Sequence, residues 1–169
     1  MTDETHCDRA VRAAHAYYAP AAIGDGSGFE AFLREYETRT GLAANTLPNP
    51  IAYVRTASPF DTRTPLFRIF DLSIMPDARA GQRNRITTTD LSISIAYTSD
   101  TDVEAAEDIM RAYLACMIRS VEDPAGRTFG RRVVQVAWTL GARANGQLRD
   151  TSQIRHVRSL DLRVDSHDP

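Results

Sequence analysis

A strand pattern that leads almost directly into a helix pattern constrains this chain more than any other feature. Across residues 89–97, apolar side chains such as Leu91, Ile93 and Ile95 alternate with polar ones. A period of two predicts a strand with one buried face and one wet face. The helical pattern begins a few residues later, so we expect the helix to fold back onto the sheet. The sequence therefore predicts an α+β protein with a helix across one sheet face.

The helix that follows this strand has clear start and stop signals. Thr101 and Glu104 have the spacing of a capping box, and several further acids follow near the positive end of the helix dipole. Pro124 and Gly126 end the pattern. Its apolar stripe is predicted to be Val103, Ala106, Met110, Tyr113, Leu114, Met117 and Val121. We expect the stripe to pack on a sheet face formed by Leu91, Ile93, Val136 and Trp138.

The first part of the chain, residues 1–41, is predicted to be helical. One helix spans residues 4–18 and a second spans residues 29–39, with a glycine-rich break between them. Ser27 and Glu30 have capping-box spacing at the start of the second helix. Gly41 is predicted to be its C′ residue, because glycine readily takes the left-handed conformation found there.

A proline-rich connection, residues 42–65, leads into the sheet-and-helix part of the chain, residues 66–165. A short edge strand is predicted within the connection at residues 51–55. The strand that begins at Leu66 has adjacent apolar residues at Ile69 and Phe70, which predicts a β-bulge there. We interpret the whole chain, residues 1–169, as a single domain.

Two hairpins complete the predicted antiparallel sheet. The first has a long tip at residues 76–85, and the second pairs residues 134–140 with 154–164. Asn145-Gly146 is a strong signal for a type I′ turn between the last two strands.

Composition excludes several functional classes. The chain has 20 basic and 22 acidic residues, a net charge of −2, which argues against a nucleic-acid binder that depends on global charge. All the basic residues are arginines, which suit interfaces because they form bidentate pairs with carboxylates. Cys7 and Cys116 are predicted to be buried thiols. No signal peptide or membrane-spanning run is apparent, so an aqueous compartment is expected.

No residue pattern predicts an active site, a metal site or a cofactor. The histidines, His6, His15, His156 and His167, lack metal-binding spacing. The glycines between residues 24 and 28 lack the context of a phosphate loop, and there is no serine nucleophile elbow. We therefore expect a protein that is not an enzyme.

The candidate subunit-interface residues are basic. Arg79, Arg83 and Arg85 lie in the long tip of the first hairpin. His156 and Arg158 stand in an otherwise apolar row of the last strand, which predicts that this end of the strand leaves the core and faces a partner.

The order of these elements resembles the tail terminator, or tail completion, proteins of long-tailed bacteriophages. The resemblance covers roughly residues 45–165 and depends on the Pro65-to-Ile69 segment, the strand at 91–97 that leads into a helix, and the closing strand at 158–164. It implies a virion structural protein that forms a hexameric ring on the tail tube at the tail–neck junction. The implied partners are the tail tube protein and the neck or stopper protein, with DNA passing through the ring. It implies no catalytic residues and no cofactor.

Other functions fit the same elements. One is another head–tail connector or neck protein, which the long helical N-terminus would suit. A second is a small ligand-binding or enzymatic α+β domain with a pocket between the third helix and the sheet, where Tyr113 and Trp138 are the candidate lining residues. A third is a regulatory binding module.

Overall fold

The computed structural model describes residues 6–55, 63–75, 86–99, 102–147 and 152–167. Its helices are α1 (His6–Tyr18), α2 (Phe29–Thr40) and α3 (Val103–Glu122), followed by a short 3₁₀ turn, Gly126–Thr128. Its strands are β1 (Ala52–Val54), β2 (Leu66–Met75), β3 (Ile86–Ser99), β4 (Gln135–Gln147) and β5 (Ile154–His167). The predicted α+β fold with a helical N-terminus is confirmed.

The strands form one five-stranded sheet in the order β1-β2-β3-β5-β4. The hairpins β2–β3 and β4–β5 are antiparallel, and β3 pairs with β5 antiparallel along its whole length. The short strand β1 pairs with β2 in parallel. The sheet is therefore mixed and mostly antiparallel: the two predicted antiparallel hairpins are confirmed, and the predicted edge strand joins β2 in parallel.

The helices α1 and α3 pack on one face of the sheet, and α2 packs on α3. Met110, Tyr113 and Met117 of the α3 stripe are fully buried, as predicted. Val103 is not part of the contact, because it lies in the first turn of the helix and is 46% exposed. The sheet face that packs against the helices includes Leu91, Ile93, Val136, Leu160, Leu162 and Val164, and Trp138 is partly buried against it.

An aromatic cluster joins the N-terminal helices to the sheet. The ring of Tyr18 lies 5.1 Å from that of Phe67, and Phe29 lies 4.8 Å from Phe67. Phe129, which follows the 3₁₀ turn, packs edge-on to Tyr18. All four rings are fully buried, so α1, α2, β2 and the segment after α3 share one core.

Both predicted capping boxes are wrong. The N-cap of α2 is Gly28, which has no side-chain cap, and Glu30 instead accepts hydrogen bonds from the N–H groups of Gly24 and Gly26. Gly28 has a φ of 57°, and a Cβ there would collide with the carbonyl oxygen of Tyr18. The sharp turn between α1 and α2 therefore requires glycine at position 28, and the N-cap falls one residue after the predicted Ser27.

The N-cap of α3 is Asp102, whose carboxylate accepts from the N–H of Ala105 at 3.0 Å. Thr101 lies outside the described residues. The prediction for Gly41 is confirmed, since it ends α2 with a φ of 72°.

The bulge in β2 lies between Asp71 and Ser73, not at Ile69 and Phe70. Ile69 is buried in the core, and Phe70 is half-buried on the other sheet face, so strict alternation continues through both. That second face carries a small apolar cluster of its own around Leu66 and Ala96. Adjacent apolar residues therefore indicate two partly covered faces here and not a slip in register.

The polar face of β3 is less wet than predicted. Ser92 and Ser94 are only 4% and 5% exposed. The reason is that β3 is the central strand, so side chains from β2 and β5 cover its short serines on both sides.

A buried ion pair fixes the connection after α2. Glu37 is 2% exposed and accepts from Arg34, from the N–H of Asn45 at 3.0 Å and from the N–H of Leu47 at 2.7 Å. Arg34 also donates to the carbonyl oxygen of Leu47 and to Asn49. The Glu37 carboxylate and the Arg34 guanidinium therefore form hydrogen bonds with the backbone of the loop and fix it to α2.

Replacing Glu37 with alanine should lower the free energy of unfolding by about 3 kcal/mol, because it removes the carboxylate partner of Arg34 and leaves two loop N–H groups without an acceptor. Urea denaturation measures this loss. Glu35→Ala is the matched control, since Glu35 forms only a surface pair with Arg119 and its loss should change little. Equal effects of the two substitutions would contradict a structural role for the buried pair.

Candidate functional site

The two hairpin turns lie at opposite ends of the sheet. The register pairs Ile86 with His167 and Gln135 with Asp165 at one end. At the other end it pairs Ser99 with Ile154, close to the start of α3. Loop 76–85 leaves the first end, and the β4–β5 connection leaves the second, so the molecule can contact neighbours on two sides.

The predicted tip arginines, Arg79, Arg83 and Arg85, lie outside the described residues. The residues that flank the loop, Met75 and Ile86, are described, and they join it to the sheet end where β5 finishes. A role for these arginines in a subunit interface stays a prediction.

The end of β5 that carries His156 and Arg158 does not leave the core, and that prediction is wrong. His156 is fully buried and Arg158 is 5% exposed. Both side chains point toward α3, where Glu107 lies within reach of each. Polar residues in an apolar row here reflect an internal network, so neither side chain offers more than a trace of surface to a partner.

Glu107 is the centre of that network. Its carboxylate accepts from Arg158 at 2.6 Å, from Arg143 at 3.3 Å and from Asn145 at 3.1 Å. Burial acts to raise the pKa of Glu107, but the hydrogen bonds and charges of the two arginines, with the Asn145 amide, lower it from 4.5 to about 2. The network ties the start of α3 to both strands of the second hairpin.

Ser99, His156 and Glu107 lie in a line that resembles a catalytic triad. The Ser99 hydroxyl is 3.1 Å from His156 Nε2, and His156 Nδ1 is 3.4 Å from Glu107 without a hydrogen bond between them. A nucleophile must reach a substrate carbonyl, yet His156 is fully buried and Ser99 is 9% exposed. The arrangement connects β3, β5 and α3, and in this conformation it cannot admit a substrate.

The role of Glu107 was not predicted, because this residue is one of several acids whose position near the start of α3 is already explained by the helix dipole. The length of the last two strands was the available signal. If β4 is predicted to continue beyond Leu140, its pairing with β5 brings Arg143 and Asn145 close to Arg158 on one hairpin.

The outer edge of β4 is the most extensive unpaired backbone in the described part of the chain. β4 is thirteen residues long and terminates the sheet. Leu140 pairs with the fully buried Leu160, yet it is 65% exposed beside a register shift between Leu140 and Arg143. Beside it, a cavity of about 250 Å³ opens between β4 and α3, bordered by Leu114 and Arg111. An exposed apolar side chain on a free strand edge is typical of a protein interface.

The pocket expected between α3 and the sheet is filled. Tyr113 is fully buried and donates to the carbonyl oxygen of Pro48 at 2.6 Å. Trp138 pairs with Leu162 on the helix-covered face and is partly buried against the core. On the opposite sheet face, which has no helices, lies a cavity of about 400 Å³ whose lining includes Asp90, Asp161 and Arg163.

Metal and thiol chemistry have no support in the described residues. Within those ranges there is no cluster of three or more histidine, cysteine or acidic side chains that could hold a metal ion. Cys116 is 1% exposed, as predicted, and burial raises the pKa of its thiol to about 12. The side chain of Cys7 lies outside the described part. None of the helices in that part is long and apolar enough to cross a membrane.

Comparison with known proteins gives likenesses to solved structures only. No protein family and no curated protein matches the chain. A chain in the virion of a native gene transfer agent particle aligns with a TM-score of 0.34 and 10% identity, over 82% of this chain and 92% of that chain. At this TM-score the likeness carries no argument about what the present chain does.

Proposed function

We propose that this chain is a structural assembly protein, a ring-forming subunit that ends a phage-type tail tube and joins it to the neck. The observation that carries the proposal is the free β4 edge with Leu140 exposed on it. A strand edge of this length in a protein that acts alone would invite uncontrolled pairing. A defined neighbour on that edge removes the hazard.

The two edges of the sheet fit a head-to-tail contact between copies. On the far edge, β1 covers only Leu66–Arg68 of β2 and leaves the remainder of that strand without a described partner. Each edge carries an exposed leucine, Leu140 on β4 and Leu72, 52% exposed, on β2. Contact between unlike edges is heterologous, and such contacts close into a ring when the rotation between copies is right.

The sheet ends supply the remaining contacts of a ring. Loop 76–85, with Arg79, Arg83 and Arg85, leaves one end, and the β4–β5 connection leaves the other. In the proposed ring these ends contact the tube on one side and the neck protein on the other, and the loop arginines pair with carboxylates of adjacent proteins. The partners are proteins of the particle, and the location is the tail–neck junction.

Replacing Leu140 with arginine should prevent ring assembly and leave the monomer folded. Leu140 is 65% exposed, so the free energy of unfolding should change by less than about 1 kcal/mol, whereas a buried interface cannot accept an unpaired charge. Sedimentation with purified tail tubes measures the bound protein, and the variant should remain in the supernatant.

Ile23→Arg is the control for this experiment. Ile23 is 57% exposed in the turn between α1 and α2, outside both β4 and β2. This variant should co-sediment as the unmodified chain does. If Leu140→Arg binds tubes as well as Ile23→Arg, the β4 edge is not the assembly surface.

A second candidate, a small ligand-binding protein, has one observation in its favour. The 400 Å³ cavity on the open sheet face contains both charges of the Asp90–Arg163 pair. This cavity lies on the surface between strands. A tight dimer that survives nanomolar dilution would favour the ligand-binding function over the ring.

A further inference from the structure

A cavity of about 450 Å³ opens between α1, the segment after the 3₁₀ turn, and the end of β5. Its lining includes three arginines, Arg9, Arg131 and Arg132, and one histidine, His167. The other lining residues are neutral, and none of the described residues around the cavity is an acid. The cavity is therefore a concave surface with a concentrated positive charge.

Two of the three guanidinium groups are held in place by backbone carbonyls. Arg9 Nη1 donates to the carbonyl oxygen of His167 at 2.9 Å, and Arg132 Nη1 donates to that of Phe129 at 3.0 Å. Each keeps further N–H donors, because a guanidinium has five. The side chain of Arg131 is exposed and has no partner among the described residues. These donors are available to an incoming anion.

The backbone that presents Arg131 is strained. Phe129, Gly130 and Arg131 have φ values of 43°, 66° and 69°, three consecutive residues in the left-handed region. Arginine has no local reason to adopt that conformation, which is unfavourable for a residue with a Cβ. The fully buried Phe129 ring and the Arg131 N–H bond to Thr128 Oγ1 hold the turn. Strain maintained in this way is common at binding sites.

We propose that this cavity is a binding site for an acidic segment of a partner protein, with its carboxylates paired to Arg9, Arg131 and Arg132. Arginine suits this role because its planar fork matches a carboxylate in a bidentate pair. The cavity volume fits a few side chains of a peptide. The ligand class is a peptide with clustered glutamates or aspartates.

A nucleic acid fits the cavity less well. The net charge of −2 gives no long-range attraction for a polyanion. The described lining has no phenylalanine, tyrosine or tryptophan ring on which a base could stack. The charges also converge in one concave site and do not follow the line that a phosphate backbone requires.

The proposed peptide site does not depend on the ring, because a single copy of the chain contains all of its lining residues. It lies at the same sheet end as the flanks of loop 76–85, since Ile86 pairs with His167. This end of the molecule is therefore suited to an acidic neighbour whether or not the chain assembles through β4.

Fluorescence anisotropy with a short fluorescein-labelled poly-glutamate peptide tests the proposal on the full chain at low salt. The peptide should bind in a saturable manner, and Arg131→Asn should weaken binding about tenfold or more, since it removes charge-assisted hydrogen bonds. Asparagine tolerates a positive φ, so this variant keeps the turn, and an unchanged thermal melt verifies that it is folded.

Arg127→Ala is the matched control, because Arg127 is exposed on the neighbouring 3₁₀ turn and does not line the cavity. It should leave binding within about twofold of the unmodified chain. Three results would overturn the proposal: no saturable binding, equal loss with Arg127→Ala and Arg131→Asn, or tighter binding of a short DNA duplex with the same dependence on Arg131. Failure here leaves the β4 ring intact, because Leu140 is not in this site.

Discussion

The Ile93→Asp variant is expected not to fold. Ile93 is fully buried at the centre of β3, opposite Leu160 of β5 and beneath the helices. A carboxylate at this position has no partner, and an unpaired buried charge removes several kcal/mol, comparable with the whole stability of a typical domain. Circular dichroism should show loss of the cooperative melt, and the protein should be recovered mostly as aggregate.

Met110→Asp tests the same contact from the helix side, since Met110 is also fully buried. Ala137→Asp is the control, because Ala137 is exposed on β4 and pairs with Arg163 across the strands. The control should melt close to the unmodified chain. A cooperative melt that is unchanged by Ile93→Asp or by Met110→Asp would rule out the packing of α3 on this sheet.

Replacing Glu107 with alanine should cost about 3–5 kcal/mol at neutral pH, because it leaves the buried Arg158 without its carboxylate. The lowered pKa of Glu107 also predicts that the free energy of unfolding falls in acid. Its pKa is about 2 in the folded protein and 4.5 ordinarily, so its contribution to stability is complete above about pH 4.5 and is lost as the pH falls toward 2. The contribution lost is at most about 3 kcal/mol.

Urea denaturation at several pH values separates this effect from general acid unfolding. Glu107→Gln keeps the size of the side chain and cannot titrate, so its free energy of unfolding should fall less steeply over that range than that of the unmodified chain. Glu104→Gln is the control, since Glu104 is exposed in the first turn of the same helix. Parallel pH curves for the unmodified chain and Glu107→Gln would show that Glu107 does not have a lowered pKa.

Local pattern predicted the elements well where one physical requirement dominated. The α3 stripe and the alternating core residues of β3 follow directly from burying one face of a helix and one face of a strand. The ends of α2 were predicted within a residue, because the turn before Phe29 and Gly41 after the helix leave few alternatives.

Local pattern failed where long-range pairing decided the outcome. Asn145-Gly146 is a strong turn signal, yet both residues lie inside β4 and pair with His156 and Arg155. The network around Glu107 stabilises the longer strands and moves the turn beyond them. The parallel pairing of β1 likewise depends on how the chain returns to the sheet, which no local motif specifies.

The candidate site was predicted less well than the fold, for a related reason. His156 was read as exposed because a polar residue interrupted an apolar row, whereas its partners Ser99 and Glu107 come from distant parts of the chain. The exposure of Leu140 depends on the register shift in β4. Residues that come together only in the folded structure have no characteristic spacing in the sequence from which their contact could be predicted.

Electron microscopy of tail tubes mixed with this chain tests the proposed ring most directly. The tubes should be assembled from the tube protein encoded nearest to the gene for this chain. We expect the free chain to be monomeric and the tubes to carry a ring-shaped cap at one end only, absent when Leu140→Arg replaces the unmodified chain. Bare tube ends, or a stable dimer that ignores the tubes, would contradict the proposed function.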